Sequence, residues 1–207
     1  KYIFQYNNAF VNLGWVLVMV LVTAYTIVSR SNLPEKMLFI PVFLALIISI
    51  SFIDAFLLGV VLKLDFIFDA RYLIPITGML IGNSLTNTVI AIDFFYSRIR
   101  QQQNTYRFAL ANGATQTEAV QIFIRDAIKK AMNPTIASTA VMGIVSLPGM
   151  MTGQILGGSD PTVAIKYQIL IMLTIFVSSL VTILLSILFC NKKAFDEFGN
   201  LRRSMLK

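Results

Sequence analysis

Three clusters of polar residues sit inside otherwise apolar sequence, and each offers side chains able to do chemistry. The first is one carboxylate, Asp54, in the run IISISFIDAFLLG. A charge in hydrocarbon is expensive, so this side chain must face protein, water or a passenger. It reads either as a cation or proton site, or as a structural hydrogen-bond partner on a helix that bends or ends early. The second cluster holds Thr77, Asn83, Ser84, Asn87, Thr88 and Asp93. Ser84, Asn87, Thr88 and Ala91 recur at three- and four-residue steps, which places them on one helix face. Gly78 and Gly82 form a small-xxx-small pair that permits close helix approach. Packing glue is the plainer reading, and a polar path lined by Asn83, Asn87 and Asp54 the sharper one. Asp93, near Arg98, reads as an interfacial charge. The third cluster is SLPGMMTGQILGGSDP, Ser146 to Pro161. Pro148-Gly149 interrupts a helix and frees carbonyls, which are tolerated at membrane depth only beside protein or a cavity. Broken helices of this kind line transport sites, making Met150, Met151 and Gln154 candidate ligands. The alternative is a kinked helix whose methionines are flexible packing.

Other chemistries are excluded by what the chain lacks. It has no histidine, so no imidazole can act as base, proton shuttle or metal ligand. One cysteine, Cys190, allows neither an intrachain disulfide nor a multi-cysteine metal site. No G-x-x-x-x-G-K-[ST] pattern occurs, so any energised work needs ATP hydrolysed elsewhere. A metal would meet oxygen ligands, with thioether as an addition. Carboxylate and amide oxygens suit harder cations than copper, and Asp54, Asn83, Asn87 and Gln154 are the ones to supply them.

The elements that must position these residues are membrane spans. Of 207 residues, 57% are hydrophobic and 13% charged, and the mean hydropathy is +0.75. The formal charge of +7 could suggest nucleic acid, but the bases collect beside apolar runs, as topology signals do. Five apolar segments follow, about 9–29, 37–62, 72–95, 134–155 and 163–190, each near the roughly 20 residues a crossing needs. The fold class is therefore all-α, a polytopic membrane protein forming one domain over 1–207. Asn133-Pro134 and Asp160-Pro161 read as helix starts, cap followed by proline. The stretch 96–133 carries Arg98, Arg100, Arg107, Arg125, Lys129 and Lys130, and the tail Lys192, Lys193, Arg202, Arg203 and Lys207. At the end where the last two segments join, the only basic residue is Lys166, just inside the start of the last one. The positive-inside rule puts stretch and tail in the cytosol, the tail as a frayed end near anionic lipid. The start at Lys1, with no signal-peptide pattern, leads us to expect further sequence upstream.

The long polar stretch reads as two short helices bent at Gly113. Thr115-Gln116-Thr117-Glu118 fits a capping box. Val120, Phe123, Ile124, Ala127 and Ala131 then recur at helical spacing, giving an apolar face opposite Arg125, Asp126, Lys129 and Lys130.

Phe108 to Ile128, FALANGATQTEAVQIFIRDAI, resembles the EAA loop of ABC-transporter permeases, best at Ala109 and Gly113-Ala114-Thr115. It departs at Arg107-Phe108, where that motif has Glu-Ala, and at Arg125-Asp126, where it has Leu-Pro. Together with TNTVIAIDFFYSRI, NPTIASTAVMGIVSLPGMMTGQILGGSDP and AIKYQI, the chain resembles the FetB-type permease family. That resemblance implies a membrane subunit of an ABC-type iron exporter, paired with a FetA-like cytosolic ATPase that holds ATP and Mg. It implies a homodimer in the inner membrane, with no cofactor on this chain. The docking residues it implies are Arg107, Ala109, Gly113, Ala114, Thr115 and Glu118. Plant relatives are linked to aluminium tolerance and nucleotide-sugar transport, so an organic cargo is the alternative, and a non-transporting scaffold a further one.

Overall fold

The computed structural model describes residues 8–31, 34–64, 66–143, 148–196 and 199–202, with the side chains of residues 35 and 36 also set aside. Ser146, Arg203 and Lys207, named above, lie outside the described residues. The described residues are mostly helical, with no strand among them. Helix α1 is Ala9–Arg30, α2 Glu35–Asp54, α3 Ala70–Gln101, α4 Gln103–Ala111, α5 Gln116–Ala140, α6 Gly149–Leu156 and α7 Pro161–Ala194. A π-helical stretch, Ala55–Val61, continues α2. Among the described residues four helices are long and apolar enough to cross a membrane: α1, α2 with its π extension, α3 and α7.

The fourth expected segment is not one helix. Its first half is the end of α5 and its second half is α6, with Gly143 at φ +86° between them. Even so, the chain crosses back there. Ser84 pairs with Ser178 at 3.4 Å and Tyr96 with Asn191 at 3.2 Å. The two pairs keep nearly the same offset in sequence, so α3 and α7 run parallel. Polypeptide that leaves one end of α3 and enters α7 at the other end must return between them, and α5 with α6 makes that passage.

Helix ends follow local chemistry. Asp69 caps α3 by accepting from the Arg71 amide at 3.0 Å. Asp160 caps α7 through Thr162 at 2.8 Å, with Pro161 in the first turn. Those bonds hold the Asp160 carboxyl below its usual range. Asn133-Pro134, expected as a helix start, lies inside α5 instead. Proline removes one backbone donor, and membrane helices tolerate this where neighbours supply polar groups; Thr135 bonds Asn87 of α3 beside it.

In its described residues, up to Arg202, the tail is not frayed. Past α7 it makes a tight hook, closed by Arg202 N–H to Ala194 O at 2.9 Å and Asp196 N–H to Asn200 O at 2.9 Å. Gly199 turns it at φ +74°, where a side chain is disfavoured. Phe195 and Leu201 are buried, and Tyr106 of α4 donates its hydroxyl to the Gly199 carbonyl at 2.6 Å. The Tyr106 ring touches Phe123 and Phe195, at centroid distances of 6.5 and 5.7 Å. Two apolar anchors and one buried hydrogen bond explain why a basic tail folds back onto the protein.

Tyr106→Phe deletes only that hydroxyl and strands a buried carbonyl, a loss on the order of 1 kcal/mol. We expect a lower melting temperature in detergent and faster amide exchange in the hook, with exchange in α2 unchanged. Unchanged exchange at Gly199 and Asn200 would mean the bond does not hold the hook.

Candidate functional site

Polar side chains bind the bundle together at membrane depth. Ser49 of α2 and Thr182 of α7 share a hydrogen bond of 2.7 Å. Thr77 of α3 donates to Asp54 Oδ2 at 2.7 Å, and Asn87 Nδ2 donates to Thr135 of α5 at 3.0 Å. The stripe read from sequence is real, since Ser84, Asn87, Thr88 and Ala91 are all buried. Sequence reasoning missed Ser49, Thr135 and the row Ser178, Thr182, Ser186 on α7. That row steps by four residues, a helical signal available in the sequence.

Asp54 is the only charge-bearing side chain buried among the described residues, at 5% exposure. It ends α2 where the backbone widens. Leu62 N–H reaches Leu57 O at 2.9 Å, and Leu64 N–H reaches Leu58 O at 3.1 Å. Such π stretches occur often at functional sites. Its second oxygen, Oδ1, takes no hydrogen bond from the described protein atoms.

The other candidates fall elsewhere. Met150 and Gln154 line a cavity of about 290 Å³ with Leu57, Tyr72, Ile76 and Tyr167. Asp54 is not among the residues lining it, although Leu57 lies one turn on and Ile76 adjoins its partner Thr77. Met151 is buried beneath α6. Asn83 is exposed, its amide spent on the Met79 carbonyl at 2.9 Å. Asp54, Asn83, Asn87 and Gln154 thus do not share one coordination shell. No group of three or more His, Cys, Asp or Glu that could hold a metal occurs among the described residues.

The polar stretch forms a compact corner. Gly113, at φ +88°, ends α4; Ala114 N–H bonds Ala109 O at 3.1 Å and Gly113 N–H bonds Leu110 O at 3.0 Å. This is the paired-bond C-cap that glycine permits. Thr115 then opens α5. Its N–H and hydroxyl both donate to Glu118 Oε2 at 2.8 Å, and the Glu118 amide reaches Thr115 Oγ1 at 3.4 Å. Gly-Ala-Thr is therefore one stop signal followed by one start signal. At the tip, Arg107 is exposed and Phe108 is 72% exposed, while Ala109 and Ala114 are half-buried. On α5, Val120, Phe123, Ala127 and Ala131 are buried as the spacing predicts.

A family model described as an uncharacterised protein family (UPF0014) matches residues 1–195. The chain belongs to that family. Within UPF0014 it is 34% identical over 188 residues to the "UPF0014 membrane protein YjkA" of Bacillus subtilis, covering 90% of this chain and 73% of that one. It is 32% identical over 207 residues to the "Probable iron export permease protein FetB" of Escherichia coli, covering 100% and 78%. It is 36% identical over 176 residues to "Protein ALUMINUM SENSITIVE 3" of Arabidopsis thaliana, covering 83% and 62%. No solved structure matches. The FetB-type resemblance is thus established, and the UPF0014 chain is a multi-pass helical membrane protein.

The corner carries a pH signature. Thr115's backbone bond, then its hydroxyl, holds the Glu118 carboxyl below its usual value of 4.5. A carboxyl whose value falls on folding stabilises the capped corner fully above that usual value, and the contribution fades as pH drops through the lowered one. Amide protection over Thr115–Ala119, corrected for intrinsic exchange, should therefore decline below pH 4.5. Glu118→Gln should abolish that decline. Equal pH profiles in both proteins would refute the carboxylate's role.

Proposed function

We propose that this chain is the permease subunit of an ABC transporter in the cell membrane. Two copies form the path, and a separate cytosolic ATPase of the FetA type supplies ATP, Mg and hydrolysis. The carrying observation is a polar face left open at membrane depth. Asn83 and Thr86 of α3, with Asn133, Ser138 and Thr139 of α5, are all exposed. The Asn87–Thr135 bond sets α3 and α5 side by side, and antiparallel packing brings Asn83 level with Thr139. Other exposed positions on the spans, such as Leu17, Phe52 and Leu173, are apolar. Amides and hydroxyls facing hydrocarbon are costly. A second copy, with water or cargo between, relieves that cost and makes the face one wall of a path.

The ATPase is assigned to the exposed corner Arg107–Glu118. Its rigid caps hold the tip, and exposed Phe108 offers an apolar anchor beside a cation. Positive-inside bias places corner and hook in the cytosol. Nucleotide-driven closure of the ATPases would then move α4 and α5, and through them α3 and α7.

For cargo, the E. coli relative's name points to iron export. Asp54, with its unpaired oxygen, is the residue we assign to a cation, and Asn87, Gln154 and the Met150 thioether to its route. A second reading rests on the cavity beside α6. Its aromatic and aliphatic walls suit an organic cargo better than a bare ion.

Proteoliposomes holding the permease and its ATPase decide between these. Ferrous iron should stimulate ATP turnover and move across the bilayer, and Asp54→Ala should lower that stimulated turnover at least tenfold. Stimulation by a sugar nucleotide alone would overturn the metal cargo and keep the architecture. Gly113→Glu should abolish co-purification of the ATPase without loss of membrane insertion; retained co-purification would remove the corner from the docking site.

The open face gives a separate test. Native Cys190 is buried, so Asn83→Cys provides the accessible thiol. Mild oxidation in membranes should yield a crosslinked dimer. Phe10→Cys, on an exposed apolar face, should not. The reverse result would put the dimer contact elsewhere.

A further inference from the structure

A second cavity, of about 420 Å³, opens at the other end of α7, between the start of α5 and the tail hook. Its size falls within the roughly 300–1,000 Å³ of small-ligand sites. The path does not use it, and the docking corner shares only Gln116 and Thr117 with it.

Its lining is divided by chemistry. Lys192 and Arg202 bring two cations, and Asn191 and Gln116 bring amides. Asn191 accepts the Tyr96 hydroxyl through Oδ1 at 3.2 Å, which leaves its amino group for an acceptor. Arg202 spends Nε on the Phe195 carbonyl at 3.4 Å, keeping the two terminal nitrogens of its guanidinium. One carboxylate, Asp196, also lines the cavity; it accepts from the Asn200 amide at 2.7 Å. The side facing the bundle is apolar, formed by Ile124, Leu188 and Phe195.

Position decides what fits. The cavity sits where the last span, Pro161–Ala194, ends in Lys192 and Lys193, at the level of lipid headgroups. Leu188 is 47% exposed, and Leu184, one turn deeper on the same helix face, is 39% exposed. An apolar track thus runs from the cavity into the bilayer. A soluble anion would use the cations and leave that track idle, whereas a phospholipid uses both. Basic pockets at helix ends on the cytoplasmic side are a known way of holding anionic headgroups.

We propose that this cavity binds the phosphodiester headgroup of an anionic phospholipid, with Lys192 and Arg202 on the phosphate. One acyl chain lies along Leu188 and Leu184. A glycerol-type headgroup also has hydroxyls able to donate to Asp196, which offsets part of the repulsion between that carboxylate and the phosphate. Because the hook is fastened to α4 through Tyr106, the bound lipid is fastened to the same cytosolic corner. The site requires only that the chain spans a membrane, so it stands or falls independently of the transporter reading.

Delipidated protein titrated with phosphatidylglycerol or phosphatidylcholine, read by native mass spectrometry, tests this. Phosphatidylglycerol should bind first and more tightly. Lys192→Gln should weaken it roughly fivefold, and Lys192→Gln with Arg202→Gln roughly twenty-five-fold, the scale of one interfacial cation each. Lys166→Gln, at the opposite end of α7, should change nothing. Lys192 is exposed, so its single variant folds even where the double one does not. Equal affinity for both lipids, or an equal loss with Lys166→Gln, overturns the site. Competition by inorganic phosphate or glycerol phosphate at micromolar concentration would identify a soluble anion instead and overturn the lipid.

Discussion

Polar groups cut off from water must find partners in one another, and this bundle is arranged around that constraint. Helix α7 carries Ser178, Thr182 and Ser186 on one buried face. The Thr182 and Ser178 hydroxyls meet Ser49 of α2 and Ser84 of α3. Lipid is as apolar as leucine, so apolar burial gives the spans little reason to choose one neighbour over another. Hydrogen bonds do give such a reason, because a slip of one residue breaks them. Each such bond in a membrane adds on the order of 0.6 kcal/mol. Their larger effect is to fix register: Ser84–Ser178 and Tyr96–Asn191 lock α3 and α7 in parallel over the stretch between the two pairs.

The same locking extends beyond the span. Tyr96 ties α3 to the end of α7, and Tyr106 ties α4 to the hook that follows it. Phe123 and Phe195 close around Tyr106. Burial, with the Asp196 charge second, raises the Tyr106 phenol's pKa, so it remains a donor across ordinary pH. The corner at Gly113 is therefore no loose loop. A force applied at Phe108 passes through packed aromatic rings to α7 and through α5 to α3. Rigid packing of this kind is absent from a tail that merely frays.

Much of this was legible in the chain. Span positions follow from hydropathy because length and apolarity are local. The capping box and the Asp160-Pro161 start follow because a cap involves only residues three apart. The Ser84–Ala91 stripe follows from helical period. What failed depends on distant partners. Asn133-Pro134 looks like a start signal, but Thr135 belongs to a long-range pair with Asn87 that carries α5 through the proline. The tail looks frayed because its charges dominate its composition. Phe195, Gly199 and Leu201 form a hook only against Tyr106, 93 residues away from Gly199. The α7 row was there to be read, yet serines and threonines in a strongly apolar segment do not announce which helix they will meet.

Asp54 shows where the two kinds of information join. Sequence places a carboxylate in hydrocarbon and leaves open whether it is structural. The structure answers half of that question: Thr77 satisfies one oxygen, which is a structural role, and the other is left over. A purely structural carboxylate gains nothing from an unpaired oxygen, since an amide or hydroxyl would bond Thr77 without the cost of a buried charge. The backbone widens into a π turn immediately after it, on the side toward Leu57 and the α6 cavity. The broken fourth segment, which supplies Met150 and Gln154, lies across that same cavity. With an oxygen that no described protein atom bonds, and a π turn leading on from it to Leu57 at the cavity wall, Asp54 is a buried carboxylate whose acceptors the packing of α2 on α3 does not use up.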